Sequence, residues 1–170
     1  MSITVSEVNR SSDIEFVEWL GGIYEHSPWV AERVSSQRPF ASIDELHRKM
    51  AAAVASAPEA QRLALLRAHP ELAGKEASAG TLTSESKREQ AGAGLDQCTA
   101  EELVKIRTFN RAYLDKFDFP FIIAVTGLDK FQIIAAMEDR LGNDLATEFT
   151  TALAEVEKIA RIRIDALIDE

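Results

Sequence analysis

An all-α fold, a bundle of roughly eight helices in a single domain spanning residues 1–170, is the class this sequence predicts. Three observations lead there. Apolar residues recur at intervals of three and four along most of the chain. Helix-capping patterns open several of those stretches. Only one run has the β-branched and aromatic character of a strand, and it has no convincing second strand to pair with.

Ser12 or Asp13 caps a first helix to about Leu20, with Ile14, Val17 and Leu20 on its inner face, and Gly21-Gly22 breaks it. Ser27-Pro28 opens a short second helix, with the serine as cap and the proline at the first helical position. Ser42-Ile43-Asp44-Glu45 is a capping box, and the helix behind it turns Leu46, Met50, Ala53 and Val54 inward and ends near Ser56. Pro58 starts the next helix, which buries Leu63, Leu66 and Leu65 and runs into His69-Pro70. Ala73 to Thr83 is rich in Gly, Ala, Ser and Thr and reads as one long loop, the kind of connection that tends to carry function.

Thr83 or Ser84 caps a helix through Ala91 that Gly92 and Gly94 end. Thr99-Ala100-Glu101-Glu102 is a second capping box, leading a helix to about Phe117 with Leu103, Ile106, Phe109, Tyr113 and Leu114 at helical spacing. Phe119 to Gly127 is the strand-like run, read as an extended buried segment or the start of a helix. Asp129 begins a helix to about Leu141, and Asn143 or Asp144 caps a long last one to about Leu167.

Bulk properties exclude several functions. A net charge of −9 leaves no basic face for nucleic acid or an anionic membrane, although one or two local arginines still suffice for a small anionic substrate. The single cysteine, Cys98, forms no internal disulfide and fits a reducing compartment. No apolar run reaches the ~20 residues a membrane span needs. The first residues show no leader pattern and the last no Ser-Lys-Leu address, so the cytoplasm is the expected location.

The candidate chemistry centres on two stretches, Arg67-Ala68-His69-Pro70-Glu71-Leu72-Ala73-Gly74-Lys75 and Ser86-Lys87-Arg88-Glu89-Gln90. Proline disfavours the helical conformation in the residue before it, so His69 sits where a helix has just ended. Imidazole is the side chain that titrates nearest neutral pH, and a carboxylate beside it makes a general acid–base unit; Glu89 is the candidate. On spacing alone His69 also reads as a structural histidine. His47 reads as a solvated or core histidine, and His26 either lines a site or bonds its own loop. No His-x-x-x-His or Cys-x-x-Cys spacing or calcium loop suggests a metal, and no phosphate loop is present. Arg161 and Arg163 fall two apart on a helix and so point in different directions; both read as surface charges unless one faces a cavity.

Taken in order, His69-Pro70-Glu71-Leu72-Ala73-Gly74-Lys75, Ser86-x-x-Glu89-Gln90 with Ala93-Gly94-Leu95, and Phe119-Pro120-Phe121-Ile122-Ile123 resemble the 2-oxo-4-hydroxy-4-carboxy-5-ureidoimidazoline (OHCU) decarboxylase family. Glu25-His26-Ser27-Pro28-Trp29-Val30 resembles a family segment too, so the likeness covers nearly the whole chain. The resemblance implies an all-α homodimer without cofactor that forms (S)-allantoin in uric acid degradation. It implies His69 as catalytic acid–base and Glu89 as its partner. Pro70, Ser86, Glu89, Gln90, Phe121, Ile122, Ile123, Ala124 and Val125 would line the substrate. Arg163, with Arg161 as the competing choice, would grip it. Glu71 stands where many members have Asp, and Thr126 where some have a basic residue. A hydrolase or isomerase acting one step earlier, and a non-catalytic helical protein of the same fold, are the alternatives.

Overall fold

The computed structural model describes residues 2–170. Its helices are α1 (Val5–Arg10), α2 (Asp13–Leu20), α3 (Trp29–Ser35), α4 (Ile43–Ala55), α5 (Glu59–Arg67), α6 (Lys75–Ala79), α7 (Ser84–Gly92), α8 (Ala100–Phe117), α9 (Lys130–Leu141) and α10 (Leu145–Leu167). Two two-residue strands, β1 (Ile3–Thr4) and β2 (Ile168–Asp169), pair in parallel. The fold is all-α in substance, as the periodicity predicts. The chain divides into two compact units, Met1–Ala68 with Glu157–Glu170, and His69–Val156.

In the first unit α3 packs against α2 and α4. Ser12 caps α2 through a complete box with Glu15. The buried side of α2 is Phe16 and Leu20, one turn apart; Ile14, expected inside, is 73% exposed. α3 begins one residue later than expected, with Pro28 at the cap position. At α4 Ser42 accepts from the Glu45 amide, but the Glu45 carboxylate takes the Ala41 amide instead of closing the box. Leu46, Met50, Ala53 and Val54 are buried as the pattern requires. Asn9 bonds both backbone groups of Phe40, at 2.8 and 2.7 Å, and Phe40 stacks on Phe16, so the α3–α4 connection is fastened to the core.

In the second unit α8 packs against α9. Capping boxes open both, Thr99 with Glu102 and Asp129 with Gln132. Ile106, Tyr113 and Phe117 form the buried stripe of α8, whereas Leu114 lies outside it. The Phe119–Gly127 run forms no strand, in agreement with an extended buried segment: Phe119, Pro120, Phe121, Ile122 and Val125 are buried. The expected loop from Ala73 to Thr83 contains α6, one short helix of small residues that Gly80 closes in the left-handed conformation. Asp144, not Asn143, opens α10, accepting from the Thr147 amide at 2.7 Å.

Candidate active site

The His69 loop is shaped by its neighbours in sequence. α5 ends at Arg67, and two residues later the ring of His69 is half-buried, followed by buried Pro70. Leu72, Ala73 and Gly74 are also buried, and each has a physical reason to be where it is. The Leu72 carbonyl accepts from Asn110 Nδ2 at 2.9 Å. Ala73 is left-handed, with φ 48°, a conformation that costs a non-glycine residue about 1 kcal/mol or more. Its amide donates to Gln90 Oε1 at 2.9 Å. A Cβ on Gly74 would lie 2.5 Å from the Glu71 Cβ, which leaves room for glycine only. The Leu-Ala-Gly part of the motif is thus a loop folded tightly on itself and tied to α7.

α7 presents the second motif. Thr83 caps it by accepting from the Ser86 amide. Ser86 and Gln90 are four residues apart, share one face and are both buried; Glu89 is half-buried at the margin of that face. The face meets the loop of His69 through the Ala73–Gln90 bond. His69, Ser86 and Glu89 are each engaged by the folded protein. Gln90 also lines a cleft of about 240 Å³ with Ala77, Leu82, Lys87 and Leu95.

The Phe121–Val125 segment rests on a buried polar cluster. Arg140 donates to the Ile122 carbonyl at 2.7 Å, and its guanidinium lies 4.3 Å from the centre of the Phe121 ring. Glu148, fully buried, holds Arg140 at 2.9 Å and accepts from Asn143 at 2.9 Å and from the Tyr113 hydroxyl. Burial pushes the Glu148 carboxyl up, but the hydrogen bonds from Arg140, Asn143 and Tyr113 outweigh it and hold the group below its ordinary value. Burial, aided by the Glu148 bond, pushes the Tyr113 hydroxyl well up, so it stays a proton donor. The Ala124 amide donates to the Glu155 carboxylate at 2.9 Å. The rings of Phe121 and Tyr113 meet edge to face at 5.3 Å, so the Phe121 side chain belongs to the core.

The two arginines of α10 separate. Arg161 is 38% exposed and pairs with Asp44 and Asp165. Arg163 is buried and donates through Nη2 to Glu25 at 3.2 Å, both inside the first unit. The surface reading holds for Arg161 and fails for Arg163, because a buried guanidinium requires a carboxylate and Glu25 supplies it. Glu25 is buried beside His26, which is itself exposed and left-handed, and nothing in the local pattern around Glu25 points to a partner on α10. His47 Nε2 donates to the Glu157 carbonyl at 3.0 Å, a structural role. Cys98 is a free thiol pushed up by burial and nearby Glu102, the opposite of an activated nucleophile. Among the described residues no group of three His, Cys, Asp or Glu side chains is placed to hold a metal ion.

A model of the family described as OHCU decarboxylase matches residues 9–165. The chain belongs to the OHCU decarboxylase family. Within that family it is 44% identical to the 2-oxo-4-hydroxy-4-carboxy-5-ureidoimidazoline decarboxylase of Haloferax volcanii, over 95% of this chain and 94% of that one. It is 40% identical to the uric acid degradation bifunctional protein PucL of Bacillus subtilis, covering 98% of this chain but 33% of that protein. A crystal structure of (S)-allantoin synthase superposes with a TM-score of 0.81 at 33% identity, over 98% of this chain and 54% of that chain. A structure of OHCU decarboxylase in the presence of (S)-allantoin has the same fold, with a TM-score of 0.70 at 23% identity over 92% and 97% of the two chains. The matched residues 9–165 include the His69 loop and α7, which the Ala73 amide and the Gln90 side chain tie together.

Proposed function

We propose that this OHCU decarboxylase family member converts 2-oxo-4-hydroxy-4-carboxy-5-ureidoimidazoline to (S)-allantoin and carbon dioxide. The observation that carries the reading is identity of 44% with a decarboxylase of this name over almost the full length of both chains. The site geometry supports it: a histidine-bearing loop fixed on the helix that carries Glu89.

The chemistry suits these residue types. The substrate carries a carboxylate and a hydroxyl on one ring carbon, next to a conjugated carbon–nitrogen double bond. When the carbon–carboxylate bond breaks, its electron pair passes into that conjugated system and CO2 leaves. The ring nitrogen that receives the pair takes up one proton, and the resulting enol then loses its hydroxyl proton and gains a proton on the neighbouring carbon, which gives the carbonyl and the new stereocentre of allantoin. The balance is one proton taken up per CO2 released. His69 takes or polarises the hydroxyl proton and then protonates the carbon from one face, which sets the (S) product. Glu89 orients the imidazole and stabilises its charged form.

Pro70, Ser86 and Gln90 line the ring, and the backbone from Phe121 to Val125 meets its edge. Of the two arginines of α10, the family resemblance favours Arg163 for the substrate's polar oxygens, which a planar guanidinium can match in a two-point way. Arg161, engaged on the surface by two aspartates, is the weaker choice. No helix of the described chain is long and apolar enough to cross a membrane. A cytoplasmic homodimer is the proposed working form, and sedimentation at micromolar concentration tests the dimer.

The decisive assay supplies freshly generated OHCU and follows both CO2 release and optical activity. Accelerated CO2 release with (S)-allantoin is expected. Consumption of substrate without CO2 would indicate a hydrolase or isomerase, and decay at the spontaneous rate a non-catalytic protein.

A further inference from the structure

Two charged side chains hold the backbone of the Phe121–Val125 segment. Arg140 donates to the Ile122 carbonyl at 2.7 Å, and Glu155 accepts from the Ala124 amide at 2.9 Å. The two grips are two residues apart. The segment between them is neither helix nor strand, so it has no ladder of its own, and these two side chains fix its backbone on either side of Ile123.

The two grips differ in how they are built. Arg140 is locked by Glu148, which Tyr113 and Asn143 also hold, so removing it would orphan a buried carboxylate. Glu155 stands on α10 and is only half-buried, so it can be changed without emptying the core.

We propose that Glu155 is a positioning residue of the decarboxylase site: its carboxylate clamps the Ala124 amide and so fixes the edge of the Phe121–Val125 segment that faces the substrate ring. The proposal rests on the decarboxylase reading. A carboxylate accepting a peptide N–H makes a charge-assisted bond, stronger than a neutral one. A glutamine in its place keeps an acceptor oxygen on the same stem, whereas alanine keeps none. Loosening the segment lets the flat ring rock relative to the proton donor, which weakens binding and lets the proton reach either face.

The test compares wild type, Glu155→Ala and Glu155→Gln with freshly generated OHCU, measuring KM, kcat and the enantiomeric excess of allantoin after subtracting the spontaneous reaction. Neither KM nor enantiomeric excess depends on how much of the sample is folded, so a merely structural role leaves both unmoved. Glu155→Ala is expected to raise KM by roughly ten-fold, the cost of one lost hydrogen bond of this kind, and to lower the enantiomeric excess. Glu155→Gln is expected to restore most of both. Unchanged KM and enantiomeric excess in Glu155→Ala, or a Glu155→Gln enzyme as impaired as the alanine variant, would overturn the proposal while leaving the decarboxylase reading intact. A wild-type protein that releases CO2 no faster than the spontaneous reaction would overturn the reading, and the proposal with it.

Discussion

Glu25 and Arg163 lie 138 positions apart in sequence and meet as a buried ion pair, with Arg163 Nη2 donating to Glu25 Oε2 at 3.2 Å. Their side chains are 2% and 4% exposed, so the pair replaces part of the solvation that each charge lost on folding.

Breaking that pair from one side leaves a buried charge uncompensated, which typically costs about 3–5 kcal/mol. Glu25→Ala is therefore expected to lose stability of that order in urea unfolding, with its midpoint well below wild type. Arg161→Ala, which removes a half-exposed surface partner of Asp44 and Asp165, is expected to change stability by no more than about 1 kcal/mol. Similar losses from both variants would contradict the assignment of Arg163 as the buried member.

Glu148 gives a pH signature. Its folded carboxyl is held below the ordinary value near 4.5, so the stability it contributes is complete above that value and is lost as pH falls through the lower folded one. Thermal unfolding from pH 6 down to pH 3 should show a steep fall in Tm beginning below about pH 4.5. Glu148→Gln should flatten part of that fall at the expense of stability at neutral pH. A variant with the same pH slope as wild type would remove Glu148 from the set of linked groups.

Gly74 is confined by Glu71. Gly74→Ala would push its methyl to within 2.5 Å of the Glu71 Cβ, a stem atom close to the backbone, so the loop itself must move. Overpacking of this sort costs about 1–3 kcal/mol and should displace the loop that carries His69. Loss of turnover exceeding the loss of folded protein is the expected result. Ala73→Gly, by contrast, relieves a left-handed alanine and should keep the fold with little change in Tm.

Much of the fold was legible because helix starts are written locally. Thr99 with Glu102 forms in the structure the box its spacing implies, and Asp129 caps the helix expected to begin there. Ile14 was misplaced because α2 is short, and its buried side is set by Phe16 and Leu20 against α3 rather than by the pattern within eight residues. α6 left no trace in the pattern: five small and charged residues carry no apolar period, and so short a helix forms only where the chain around it holds it. The parallel β1–β2 pair joins residues at the two ends of the sequence, which no local pattern records.

The site divides the same way. The break before Pro70 marked the place of His69, and the buried face of α7 follows from the spacing of Ser86 and Gln90. The grip of Arg140 on the Ile122 carbonyl, of Glu155 on the Ala124 amide and of Glu25 on Arg163 join residues 18, 31 and 138 positions apart, and charge alone does not name a partner at such range.

The central claim is that the imidazole at position 69 moves the proton. The most direct measurement is the turnover of freshly generated OHCU by His69→Asn, a variant of similar size whose Tm is checked alongside, with product chirality followed by circular dichroism. Removing a general acid–base group typically costs 10²–10⁴ in rate, so kcat should fall by about two orders of magnitude or more and the allantoin formed should be racemic at an unchanged Tm. A His69→Asn protein that still makes (S)-allantoin at the wild-type rate would contradict the account.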